Sequence, residues 1–325
     1  MPRLRRSKTS SPGFGRKRSG TGFSYLAENG STVTDASVRT RIETLAIPPA
    51  WVDVWIAPDP LGHIQAIGTD AAGRRQYIYH PQWRARRDRS KFERALALAA
   101  VLPGARGVVT RDLRADDASQ ARALAAAFRL LDSASPRVGG KRYLDENGSH
   151  GLSTLLCSHA TIHGDDEIEI RFRGKGGLPW EALLHDVDLA SVIRSLKRRG
   201  PNAHLLAYRD GNDWHALSAS DINDYVRERT RGDFTAKDFR TLRGTIVAAQ
   251  SLRDSEPAVT KTAQKRAVVE AMKAAAATLG NTPTIAKKSY VDPRVVEKYL
   301  AGELIAGNGA APEAALRALL GAEDS

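Results

Sequence analysis

Hydrophobic and polar positions alternate in three short stretches near the start of the chain. Trp51-Val52-Asp53-Val54-Trp55-Ile56 is apolar with partial alternation, and residues 63–68 and 75–80 alternate again. A period of two sends every second side chain to the same face, so each stretch predicts a strand. Gly62 and Asp70-Ala71-Ala72-Gly73 supply turns between them. Residues 23–80 are therefore expected to form a small strand-rich unit.

Beyond residue 80 the pattern changes. Residues 84–94 hold six basic side chains against two acids. The alanine-rich stretch 92–102 predicts a helix that Pro103-Gly104 stops. This shift places a domain boundary within 80–95. Further helices are expected over 118–131, 187–198 and 236–250. Glu167-Ile168-Glu169-Ile170-Arg171-Phe172 alternates before a Gly174-Lys175-Gly176-Gly177 turn, a hairpin signal, and a weaker one spans 203–214. Val268, Val269, Met272, Ala276 and Leu279 form the apolar face of another helix, which Gly280-Asn281 ends. Thr282-Pro283 and Asp292-Pro293 each read as a cap followed by proline in the first helical position, the second opening a helix over 294–305. Tyr290 falls between these two helices. The expected fold is α+β: a flexible basic arm at 1–20, a small β-rich domain at 21–90, a mainly helical domain at 91–305, and a peripheral tail at 306–325.

Composition narrows the function. Of 325 residues, 42% are hydrophobic, enough for a real core. The single cysteine, Cys157, excludes an intrachain disulfide and a thiolate metal site, and reads as a buried small residue. No run of about 18 apolar residues suggests a membrane span, and the basic start lacks the apolar stretch of a signal peptide. Lys and Arg number 49 against 37 acids, a formal charge of +12 that suits a polyanionic partner.

Several chemistries have no signature here. There is no phosphate-binding Gly-x-x-x-x-Gly-Lys-Ser/Thr loop, no dinucleotide glycine fingerprint and no His-Glu-x-x-His helix. His159 and His163 are four apart, but nothing nearby completes a metal set. Phosphoryl chemistry would have to rely on protein cations. Four segments supply such cations and a nucleophile. They are Pro136-Arg137-Val138-Gly139-Gly140-Lys141-Arg142-Tyr143 with Asn147 and Gly151-Leu152-Ser153-Thr154-Leu155; Arg173-Gly174-Lys175-Gly176-Gly177; Lys237-Asp238-Phe239-Arg240-Thr241; and Gly280-Asn281-Thr282-Pro283 leading to Lys287-Lys288-Ser289-Tyr290. Each alone has a plain structural reading, as a surface arginine, a glycine turn or a packed tyrosine.

Their order and contexts together resemble the type IB DNA topoisomerases, in the compact poxvirus-like and bacterial branch, over most of residues 23–305. By that resemblance Arg137 and Arg240 match the family's two essential arginines, Lys175 its general-acid lysine, and Tyr290 its nucleophile. Lys237 falls where the family has a lysine beside the scissile phosphate. Gln76, Tyr77 and Tyr79 resemble small-domain residues that touch DNA. Nine residues before Tyr290, poxvirus-like members carry histidine; this chain has Asn281, as bacterial members can. Its amide can still donate to a phosphate oxygen but supplies no imidazolium charge.

The resemblance implies a small β-rich domain and a larger helical catalytic domain of the tyrosine recombinase/type IB topoisomerase kind, forming a clamp on duplex DNA. It implies ATP-independent relaxation through a DNA 3′-phosphotyrosyl intermediate, with no cofactor and no metal. It further implies a monomer in the cytoplasm, associated with preferentially supercoiled DNA and not with membrane. Two other readings stay open. A tyrosine recombinase uses similar chemistry, although this chain has Asp238-Phe239-Arg240 where a recombinase-like His-x-x-Arg would stand. A noncatalytic DNA-binding protein would need the charge but not Tyr290.

Overall fold

A computed structural model of the chain describes residues 3–115, 117–255, 260–307, 309 and 311–321. The chain divides into two compact units between Ser90 and Lys91.

The first unit contains β1 (Phe14–Ser19), β2 (Gly22–Leu26), α1 (Ala36–Thr44), β3 (Val52–Ile56), β4 (Ile64–Thr69) and β5 (Arg75–Tyr79). The strands form one antiparallel sheet in the order β2-β1-β3-β4-β5. Its core is Ile42, Val54, Ile56 and Ala66, with Phe14, Tyr25, Trp51 and Ile78 packed against them. The partial alternation of β3 has a backbone cause. Its register against β4 shifts between Val52 and Trp55, and Asp53 takes a φ of 50°. That irregularity re-phases the side chains as a bulge does.

Residues 3–20 differ from the expected flexible arm. β1 is a central strand, and Arg5 exchanges backbone hydrogen bonds with Leu61 and His63. Charge alone reads as a flexible basic arm, but Arg16 has local work. Arg16 donates to the carbonyls of Ile47, Pro48 and Trp51 at 3.0, 3.0 and 2.7 Å and stacks 4.1 Å from the Phe23 ring centroid.

The second unit begins within α2 (Pro81–Leu113) and continues through α3 (Gln120–Ala134), α4 (Lys141–Asn147), β6 (Ala160–His163), β7 (Glu167–Arg173), β8 (Pro179–His185), α5 (Val187–Lys197), β9 (Ala207–Asp210) and β10 (Asp213–Ala216). It ends with α6 (Ala219–Thr230), α7 (Ala236–Arg253), α8 (Lys261–Leu279), α9 (Pro283–Ser289), α10 (Pro293–Leu300) and α11 (Pro312–Leu319). β6, β7 and β8 make a three-stranded antiparallel sheet, and β9 and β10 a separate hairpin. α3 is nearly central: Leu124 to Leu131 are buried except Arg129, and Phe128 meets Tyr225 and Phe239 edge-on. No helix among the described residues is long and apolar enough to cross a membrane.

Three helical expectations shift. Pro103 does not end α2, because Leu98, Ala99, Leu102, Ala105, Val109 and Leu113 continue one buried stripe across it. Burying that stripe outweighs the roughly 3 kcal/mol cost of an interior proline. α10 stops at Leu300 rather than 305, where Gly302 turns the chain with φ 85° and Ile305 is buried separately. Within the supposed peripheral tail, α11 buries Ala315 and Leu316 against the main core, and its Glu313 pairs with Arg106. Cys157 is buried, which pushes its thiol up.

One close backbone approach fixes the segment after α3. Gly139 and Gly151 lie face to face, so a Cβ on Gly151 would sit 2.5 Å from the Gly139 Cα and 2.8 Å from the Arg137 carbonyl oxygen. Beside this contact, Leu152 and Ser153 N–H donate to the carbonyls of Arg137 and Val138 at 2.9 Å each. Gly151→Ala forces backbone against backbone and should cost about 1–3 kcal/mol. Urea unfolding reads this as a lowered midpoint, and an unchanged midpoint would show that the two segments separate freely.

Candidate active site

Four of the predicted residues meet in the second unit. Tyr290 caps the C-terminus of α9, with its N–H on the Ala286 carbonyl at 2.9 Å. Its own carbonyl accepts from Thr245 Oγ1 on α7 at 3.1 Å, and that threonine hydroxyl in turn accepts the Asp292 N–H at 3.1 Å. Gly244 permits this approach, since a Cβ there would lie 3.1 Å from the Tyr290 Cβ and 2.9 Å from Leu279. The tyrosine backbone is thus pinned to α7.

α7 also carries Arg240, which is 3% exposed. Its guanidinium donates to the Ser135 carbonyl at 2.6 Å and the Leu279 carbonyl at 2.8 Å, and lies 4.9 Å from the Tyr290 ring centroid. Ser135 is the left-handed cap of α3, and Leu279 is the last residue of α8. One arginine therefore joins three helices. No carboxylate among the described residues pairs with it.

Arg137 contacts the same tyrosine. It reaches the Tyr290 hydroxyl at 3.4 Å and donates to Asn281 Oδ1. Asn281 follows the left-handed Gly280 cap of α8, and its Nδ2 is buried without a hydrogen-bond partner among the described residues. Burial pushes the Tyr290 phenol up, but Arg240, then Arg137 and Lys237, pull it down further, so it ends below the usual tyrosine value. Burial likewise lowers Arg240, partly offset by Tyr290. An arginine nevertheless stays charged.

The lysines stand at the edge. Lys237 is exposed in the first turn of α7. Lys175 is exposed in the β7–β8 turn, where Gly176 and Gly177 both have φ 73°. It lines one narrow cleft with Arg137, Trp180 and Gly280. In the first unit, Gln76, Tyr77 and Tyr79 lie on the edge strand β5. Tyr77 and Tyr79 share a face with ring centroids 6.0 Å apart, and the Gln76 amide nitrogen donates to Asp70 at 2.9 Å.

Several supporting groups carry no sequence signal. The Ser135 and Leu279 carbonyls that hold Arg240 are backbone atoms. Thr245 looks like any helical threonine, and only its spacing from Arg240 hints at a shared environment. Asp238 reads as a capping-box acid; it accepts from Thr235 N and also from Arg94 of α2 at 2.8 Å, fixing the start of α7. His159 and His163 fall on a short 3-10 turn and a strand, so their spacing of four never becomes a shared helical face.

Comparison with known proteins identifies the family. Residues 80–303 match the family model described as "Eukaryotic DNA topoisomerase I, catalytic core", and residues 22–70 match "Bacterial DNA topoisomerase IB, N-terminal domain". DNA topoisomerase 1B of Acanthamoeba polyphaga mimivirus is 31% identical over 296 residues, spanning 88% of this chain and 87% of its own length. DNA topoisomerase 1B of vaccinia virus (strain Copenhagen) is 22% identical over 234 residues, 71% of each chain. DNA topoisomerase 1 of Mycosarcoma maydis is 26% identical over 186 residues, 52% of this chain and 18% of the relative. With two thirds of its length inside the catalytic-core match, the chain belongs to the type IB DNA topoisomerases.

Proposed function

We propose that this enzyme relaxes supercoiled duplex DNA without ATP, by a transient 3′-phosphotyrosyl bond to Tyr290. The observation that carries the reading is an excess of uncompensated positive charge around one phenol. Arg137 and Arg240 flank Tyr290, and neither is paired with an acid among the described residues. A buried cation without a counter-charge is costly. A phosphodiester entering the site would supply that charge.

The chemistry then balances with protein groups and solvent. The Tyr290 oxygen attacks phosphorus and gives its proton to solvent, while the bond from phosphorus to the 5′ oxygen breaks. Arg137 and Arg240 hold the nonbridging oxygens as charge builds on them. Because Asn281 Oδ1 is occupied by Arg137, its Nδ2 is oriented as a further donor. Lys175 protonates the departing 5′ oxygen, and Lys237 adds positive charge beside the phosphate. One phosphodiester replaces another, so no external energy is needed. Torsion escapes while the 5′ end is free, and its hydroxyl then reverses the attack. Gln76, Tyr77 and Tyr79 contact the duplex from the small domain, so that both domains of a monomer clamp one DNA. The proposed setting is the cytoplasm, on supercoiled DNA.

Three outcomes follow. Purified wild type should relax positively and negatively supercoiled plasmid with EDTA present and no ATP, and Tyr290→Phe should not. Relaxation by the phenylalanine variant would refute the assignment of the nucleophile. Lys175→Ala should slow single-turnover cleavage by about 100- to 10,000-fold. The defect should vanish on a duplex whose 5′ bridging oxygen is sulfur, since a thiolate leaves without a proton; an equal defect on both would remove Lys175 as the acid. Finally, the alkaline ultraviolet titration of free wild type minus Tyr290→Phe should show a phenol ionising below about 10, the free-tyrosine value. The tyrosinate fraction therefore rises at lower pH than for an exposed tyrosine. A transition at or above that value would contradict the arginine pull.

A further inference from the structure

The β7–β8 hairpin that presents Lys175 is held against the Asn281 turn by Trp180, whose indole N–H has no assigned task. Trp180 is 7% exposed, and its Nε1 is buried with no hydrogen-bond partner among the described residues. An unpaired buried donor forfeits the hydrogen bond it would make in water, so such groups are rare in folded proteins unless something else satisfies them. Phe172 does not satisfy it. The two rings are only 34° from parallel with centroids 4.8 Å apart, so the in-plane N–H runs along the Phe172 ring instead of into its face.

The pyrrole edge faces Gly280. A Cβ on that glycine would lie 2.6 Å from Trp180 Cδ1 and 3.5 Å from Nε1. The next residue, Asn281, holds another orphaned donor, Nδ2. Trp180 and Gly280 line the same cleft as Arg137 and Lys175. One unpaired neutral donor packs against Gly280 and another follows it in the chain, beside two cations, and no carboxylate among the described residues lines the cleft.

We infer that Trp180 donates its indole N–H to a nonbridging oxygen of the scissile phosphate, acting with Arg137 and Asn281. The inference rests on the proposed transfer at Tyr290. It adds a neutral donor that is fixed by ring packing on Phe172 and so needs no reorganisation when charge develops on the phosphate. Phosphate arrival requires the cleft to widen. The exposed wall of the cleft is the Lys175 turn, closed by backbone bonds from Gly174 to Leu178 at 2.8 Å and Gly177 to Gly174 at 3.0 Å.

The test is single-turnover cleavage of a duplex oligonucleotide by wild type, Tyr290→Phe, Trp180→Phe, and the protein carrying 3-benzothienylalanine at position 180. The last keeps the outline of the indole and replaces N–H by sulfur, so a packing loss in the phenylalanine variant does not confuse the result. Both position-180 variants should cleave about tenfold to hundredfold more slowly than wild type. On a duplex with a methylphosphonate at the scissile position, one of the two stereoisomers lacks the contacted oxygen. With it, wild type and the benzothienylalanine protein should converge. Cleavage within twofold of wild type by the benzothienylalanine protein would overturn the inference, even if Trp180→Phe were slow. A wild type that does not cleave, or a Tyr290→Phe that does, would instead overturn the transfer reading on which it rests.

Discussion

The candidate active site depends on how Arg240 is buried. Its guanidinium is held by two backbone carbonyls, one ending α3 and one ending α8, while its own helix pins the Tyr290 backbone through Thr245. Carbonyls can hold an arginine in place without cancelling its charge, as a carboxylate would. The cation is thus fixed in position and still available to an anion. The ends of α3 and α8 meet α7 at those acceptors, and Gly244 gives the space for Tyr290 to lie beside them.

Around this centre the remaining groups divide by rigidity. Arg137 is set by the Gly139–Gly151 approach and orients Asn281. Asp238, bonded to Arg94, anchors the turn that carries Lys237. Lys175 alone stands on a hairpin turn with two left-handed glycines. This division suits the chemistry proposed. Groups that stabilise charge on phosphorus gain by not moving, whereas a proton donor to the leaving strand must meet an atom that departs.

Much of this was legible from the residues. The alternation at 63–68 and 75–80 became strands, and Gly280, Thr282-Pro283 and Asp292-Pro293 cut the last helices where their capping chemistry says. What escaped the sequence is nonlocal. Pro103 could not announce that the stripe beyond it stays buried, nor could the arginines of β1 announce carbonyls thirty residues on. The Arg240 anchors are main-chain oxygens whose identity is independent of side chain, and the orphaned Trp180 donor is visible only once Gly280 is laid against it. In the tail, the α11 segment reads as alanine-rich and peripheral until Glu313 finds Arg106.

The most direct test is to identify the atom that holds the cleaved strand. A duplex nicked so that the departing fragment diffuses away should trap the covalent complex, which trypsin and mass spectrometry can then locate. The account predicts a nucleotide joined through its 3′ phosphate to Tyr290, within the peptide of residues 289–294. Attachment to another tyrosine, or through a 5′ phosphate, would contradict it.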